Sequence, residues 1–221
     1  VSEAAPITRV SLREQVADAL RAAVITGELE PGRVYSVPGI ATRFAVSATP
    51  VREALLDLAK EGLVAAMPNK GYRVVELSEA DLDEVMHLRL LLEVPAVREA
   101  AQRITLDRVA ALRPLAREIE DAYAQGDLIR HLEADRRFHL EVLAVAGNAR
   151  LVELVGQLRA LSRLFGLRAT SGTGEPSSSV REHTALLDLL EAGRADDAAE
   201  LMTRHIGHTR GEWAGLRTGR G

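Results

Sequence analysis

The chain has 221 residues, room for one or two domains with a sizeable core, and with 47% apolar residues but only 3% aromatic ones it reads as a leucine- and alanine-rich, mainly helical protein. It has no cysteine, which excludes disulfides and thiolate metal sites, and no apolar run approaches the ~20 residues of a membrane helix. The net charge of −4 argues against binding nucleic acid through bulk charge.

The opening stretch VSEAAPITRVSLREQ lacks an apolar core flanked by cations, so no signal peptide is expected and a cytoplasmic location is. Ser11 then caps an amphipathic helix from Leu12 to Thr26, with Leu12, Val16, Leu20 and Val24 inward and Gly27 ending it. A turn, Leu29-Glu30-Pro31-Gly32, follows. Residues 37–75 read as two short helices across a tight turn, then a hairpin. Ile40, Ala41 and Phe44 face inward on the first helix, and Val46 plugs the turn Ala45-Val46-Ser47. Ser47 is placed to cap the second helix with its hydroxyl, and Pro50 lies in that first turn, where a missing N–H costs little. Val51, Leu55, Leu58 and Leu63 recur on the inner side, while Thr49 and Arg52 project outward from the exposed end. A recognition helix presents its first turns to the major groove in this way. Arg52 could meet a guanine edge or a phosphate. Two strand-like runs, 63–66 and 72–75, join through Pro68-Asn69-Lys70-Gly71, whose tip suits positive φ and leaves a cation and bare N–H groups for phosphates or the minor groove. The bland alternative is a small helical domain with a decorative hairpin.

These residues carry a resemblance. From Leu12 to Val75 the chain resembles the winged helix-turn-helix domain of the GntR family of bacterial transcription regulators. The match runs through Gly27-Glu28-Leu29-Glu30-Pro31-Gly32, Ala41, Phe44, the block from Val46 to Leu55, Leu58, Glu61-Gly62-Leu63-Val64 and Asn69-Lys70-Gly71. The family usually has Arg where this chain has Ala48, and a polar or charged residue near Pro38. The resemblance therefore implies a somewhat different operator, read through Arg43, Ser47, Thr49, Pro50, Arg52, Asn69, Lys70 and Gly71. Residues 1–75 hold nine Lys/Arg against eight Asp/Glu. So weak a basic excess points to dimer-dependent DNA binding.

Beyond the hairpin, Ser78 with Asp81 three residues on reads as a capping box. No strand is expected from there to about residue 217. Helices are expected near 79–103, 106–124, 127–146, 149–169, 177–192 and 195–215, with a Ser/Gly/Thr-rich loop at 170–179. Short connections imply an antiparallel bundle. The expected division is a winged helix-turn-helix (α+β) DNA-binding domain over 1–76 and an all-α, metal- and effector-binding, dimerising domain over 77–221.

Polar residues on apolar stripes are the second signal. Asp135 and His139 share the stripe of Leu128, Leu132, Phe138, Val142 and Ala146, one turn apart. A lone carboxylate among leucines is costly and needs a cation. His183 and His205 also lie on apolar stripes, about ten and twelve residues either side of the reversal at Gly193. At ~1.5 Å per residue, both stand roughly 15 Å from the turn. Three imidazoles and a carboxylate in a bundle core make a sensible divalent-metal site. Each also has an ordinary reading: a hydrogen-bonded core histidine, or Asp135 paired with Arg136, Arg163 or Arg89. His87, His131 and His208 read as ordinary residues.

From about Leu77 to Trp213 the chain resembles the FCD domain of FadR-type GntR regulators. The hallmarks are Arg89 with Leu92-Glu93, Asp135-x-x-Phe138-His139, Ala146-Gly147-Asn148, Glu182-His183 and His205. The resemblance implies that Asp135, His139, His183 and His205 hold a divalent cation, zinc or nickel. Arg89, reading as inward, offers a bidentate guanidinium to a carboxylate effector, with Arg163 a weaker candidate and Asn148 assigned beside them, although Arg89 has an equal alternative as an ion-pair partner of Glu93 or Asp135. The expected function is a DNA-binding transcriptional repressor, acting as a homodimer on a near-palindromic operator and tuned by a small organic acid. A metal-responsive regulator is one alternative. A metal-dependent hydrolase is the other, but no general base beside the ligands supports it, and no catalytic residue is assigned.

Overall fold

The computed structural model describes residues 11–166 and 178–215, with side chains through 163 and over 179–208. Most of the expected loop at 170–179, and the Trp213 side chain, lie outside the described residues. The chain divides into two compact units, residues 1–76 and 77–221.

In the first unit, α1 (Leu12–Ile25) is held at its start by a reciprocal capping box between Ser11 and Glu14. Val16, Leu20 and Val24 are buried, but Leu12 is 53% exposed, against expectation. It sits at the first helical position, before the stripe meets its partner. After β1 (Val34–Tyr35), helix α2 (Val37–Arg43) starts from Ser36, whose hydroxyl accepts from Gly39 N. Pro38 falls in that first turn, where its missing N–H is harmless. Ala45 turns the chain with φ 53°, leading into α3 (Ala48–Lys60). Val51, Ala54, Leu55 and Leu58 of α3 are buried, and α3 packs on α1. Ser47 holds the N-cap position but makes no side-chain cap bond, so the expected cap is corrected.

The wing has three strands, where the sequence suggested two. β2 (Val64–Met67) and β3 (Gly71–Val74) form the hairpin, and β1 pairs with the other edge of β3, giving the antiparallel order β1-β3-β2. A two-residue strand carries too little alternation to be read from sequence. Gly71 has a physical reason: its φ is 120°, and a Cβ there would sit 2.1 Å from the Tyr35 carbonyl oxygen.

The regular elements among the described residues of the second unit are helices: α4 (Glu79–Arg103), α5 (Leu106–Ala124), α6 (Leu128–Ala144), α7 (Ala149–Gly166), α8 (Ser178–Glu191) and α9 (Ala195–Gly215). Ser78 and Asp81 form the expected capping box on α4. Helix α4 packs on α9 and α7, α5 on α6 and α8, and α8 on α9. The core gathers Leu82, Val97, Leu112, Ile119, Phe138, Leu143, Leu187 and Ile206. Phe138 is fully buried, edge-on to the rings of His139 and His183. No helix of the described residues is long and apolar enough to cross a membrane.

Candidate functional site

Asp135 and His139 stand one turn apart on α6; His183 comes from α8 and His205 from α9. Each offers a ligand atom, and these atoms all lie within 4.8 Å of one another. His139 Nε2 is 3.1 Å from His183 Nε2 and 3.4 Å from Asp135 Oδ1, and His183 Nε2 is 3.1 Å from the same oxygen. A metal bound at ~2.1 Å holds neighbouring donors about 3.0 Å apart at right angles and about 3.4 Å apart at tetrahedral angles. These three separations fit that range.

Hydrogen bonds on the far side of the rings sharpen the test. His183 Nδ1 lies 3.0 Å from Val180 O, and a carbonyl only accepts, so the ring proton is on Nδ1. His205 Nδ1 lies 3.0 Å from Glu182 Oε2, which sets its proton the same way. In the neutral ring, His183 Nε2 then directs a lone pair at Asp135 Oδ1. Two acceptors at hydrogen-bond distance repel unless a cation lies between them. The donor set therefore fits a divalent ion. His139 differs: its buried Nδ1 has no hydrogen-bond partner.

Burial also keeps His139 and His205 available as ligands. Desolvation draws His139 well below the ordinary imidazole value and brings His205 to about 4. Desolvation pushes the Asp135 carboxyl up, but His139, the bond to His183 and Arg159 outweigh it, so it stays well below the usual carboxylate range. Arg159 and Arg163 are the permanent cations that face Asp135.

Those arginines were only partly foreseen. Arg159 on α7 reaches Asp135 Oδ2 at 3.3 Å and grips Glu93 through Nε (3.1 Å) and Nη2. Arg163 lies 3.6 Å from the same Asp135 oxygen and donates to the Leu132 carbonyl. Arg89 pairs with Glu93 at 2.7 Å and meets Ser162. Arg89, Arg159 and Arg163 are each under 5% exposed. Burial brings Arg163 down to about 10, which leaves it charged. Asp135 thus pairs with Arg159 and Arg163, while Arg136 is occupied with Glu133. Arg159 was missed, although its place between Val155 and Ser162 on the inward face of α7 was a usable signal. Asn148 is not brought to the cluster by any contact: it is exposed, and its Oδ1 accepts from Leu151 N at the start of α7.

On the first unit, Ser47, Thr49 and Arg52 are exposed at the start of α3, and Asn69 and Lys70 at the tip of the wing. Pro50 and Gly71 are half-buried. Arg43 is exposed but bound to Glu28 at 2.6 Å. Arg73 is also exposed, in β3 opposite Ala65 and Val34. Its alternation with Tyr72 and Val74 would have marked it as outward.

Comparison with known proteins bears on both units. Residues 12–74 match the family of bacterial regulatory proteins described as gntR, and residues 84–208 match the FCD domain. The chain is 30% identical over 203 residues to the HTH-type transcriptional regulator McbR of Escherichia coli (strain K12), covering 89% of this chain and 92% of that one. It is 30% identical over 201 residues to a "probable D-xylose utilization operon transcriptional repressor" of Paenarthrobacter nicotinovorans, covering 90% and 88%. The solved structure of E. coli McbR/YncC superposes with a TM-score of 0.76 at 26% identity, covering 96% of this chain and all of that one.

Proposed function

Since the chain belongs to the gntR family of bacterial regulatory proteins and carries an FCD domain, we propose that a metal centre in its helical unit receives a small carboxylate effector, which tunes operator binding by the winged unit. The chain is a DNA-binding transcriptional regulator, not an enzyme. The observation that carries the metal reading is the convergence of Asp135 Oδ1 with imidazole nitrogens whose protons are fixed elsewhere. Asp135, His139, His183 and His205 would hold the ion, zinc or nickel, and the bound ion would supply a Lewis-acidic position for a ligand oxygen. Arg89 and Arg163 supply buried positive charge beside it.

On this reading two chains pair and place two recognition helices on a near-palindromic operator. The exposed Leu88 and Leu91 of α4 support the homodimer. Thr49 and Arg52 read bases or phosphates; Arg43, Asn69, Lys70 and Gly71 hold the backbone, with Ser47 and Pro50 beside them at the helix start. The effector acts to the extent that it favours one arrangement of the dimer over the other, and relief of repression is the expected sign. Gel-shift titration of the metal-loaded chain with a panel of organic acids tests this: at least one acid should weaken operator binding about fivefold or more, and indifference to all of them would contradict it. If removing the metal alone abolishes DNA binding, the cation itself is the signal.

A further inference from the structure

The three imidazoles are not held alike on their outer faces. His183 donates its Nδ1–H hydrogen bond to Val180 O, a neutral acceptor in its own helix, while His205 donates its own to a carboxylate on the neighbouring helix. We infer that Glu182 is the positioning residue for His205: its carboxylate accepts the hydrogen bond from Nδ1–H, turns the Nε2 lone pair to the centre, and strengthens that nitrogen as a donor through its negative charge. This rests on the reading of the cluster as a divalent-metal site.

Glu182 directly precedes the ligand His183 on α8, and one residue is ~100° of helix rotation. His183 can therefore face the centre while Glu182 faces α9. The Glu182 side chain is 12% exposed and His205 6%, so water competes little for this bond. The other carboxylate oxygen, Oε1, lies 2.8 Å from Nδ1 of His208, three residues beyond His205 on α9. Both oxygens are thus held by one face of α9, which fixes the carboxylate plane. The same contact gives a role to His208, which the sequence left as an ordinary residue. Because the partner of His183 lies within α8 itself, Glu182 is a hydrogen-bond partner that links α8 to α9 on the outer side of the centre.

The full chain loaded with Zn²⁺ and titrated against a chromophoric chelator tests the assignment. Glu182→Ala should weaken zinc about 10- to 100-fold, the usual cost of losing an outer partner. Glu182→Gln, which keeps an acceptor but not the charge, should fall between. With Co²⁺ in place of Zn²⁺, the visible spectrum of Glu182→Ala should move toward that of His205→Ala, a change that a merely structural glutamate would not cause. Zinc affinity within about threefold of wild type, with an unchanged cobalt spectrum, overturns the inference. If the alanine variant does not fold, the glutamine variant is judged by the same two criteria. Wild-type chain that takes up neither ion overturns the metal reading and this inference with it, an outcome distinct from a metal-binding chain indifferent to position 182.

Discussion

Burial at His139 and His205 sets a pH dependence that the metal-free chain should display. In the unfolded chain both rings titrate near their ordinary value of about 6.5. Folded, His205 titrates at about 4 and His139 well below its ordinary value. Between pH ~6.5 and ~4 the unfolded chain therefore binds protons that the folded chain does not, and stability falls as the solution is acidified. The contribution of these rings is fully present above the unfolded value and is lost as pH drops toward the folded one. For His205 alone this is on the order of 3 kcal/mol. Urea unfolding of chelator-treated protein at pH ~7, ~5.5 and ~4.5 should show it, with His205→Phe giving a shallower slope. An equal slope in the two proteins would mean that the ring is not desolvated.

At the scale of elements, α3 and the wing divide the work of DNA recognition in our proposal. Arg52 is exposed near the start of α3 and has no ion pair among the described residues, so its guanidinium is free to meet a base edge. Arg52→Ala should cost about 1–3 kcal/mol at the operator and less on random duplex. Lys70, at the tip of the hairpin, should behave differently. Lys70→Ala should weaken specific and random duplex alike and lower the salt slope by about 1. Fluorescence anisotropy on both duplexes, at several salt concentrations, separates these outcomes, and matching losses in the two variants would contradict the division. Arg43 should contribute less than its charge suggests, because Glu28 already holds it.

At the scale of the whole molecule, the buried charges of the helical unit balance only without a metal. Arg89, Arg159 and Arg163 are matched by Glu93, Asp135 and Glu182, and a divalent ion would create a positive excess. Uncompensated buried charge is costly, so the effector should carry more than one negative charge. Calorimetry on the metal-loaded chain should find succinate at least about tenfold tighter than butyrate, its singly charged counterpart of equal length, a difference of about 1.4 kcal/mol. Equal binding of the two would remove this argument. Whichever acid binds better should also shift operator affinity more, since coupling between two sites is reciprocal.

Much of this protein was legible in its residues. Helical periodicity, the Ser78–Asp81 box and the turn residues located the elements, because those signals are local and span a few residues. Asp135 and His139 could be paired from α6 alone, since residues four apart share a face. His183 and His205 needed only the further assumption of a hairpin about Gly193, and their ring centroids lie 4.9 Å apart. Contacts between helices that no short connection aligns had no such signal. Arg159 reaches Glu93 across 66 positions, so that partner could not be chosen before the helices were packed. Strand β1 was hidden for the same reason: two residues become a strand only because β3 offers them an edge. Sequence by itself determined which faces are apolar and which residue types lie on them, because side-chain direction follows the helical and strand repeats. Tertiary structure alone decided which buried charges meet, because that depends on the rotation and height of each helix against its neighbours.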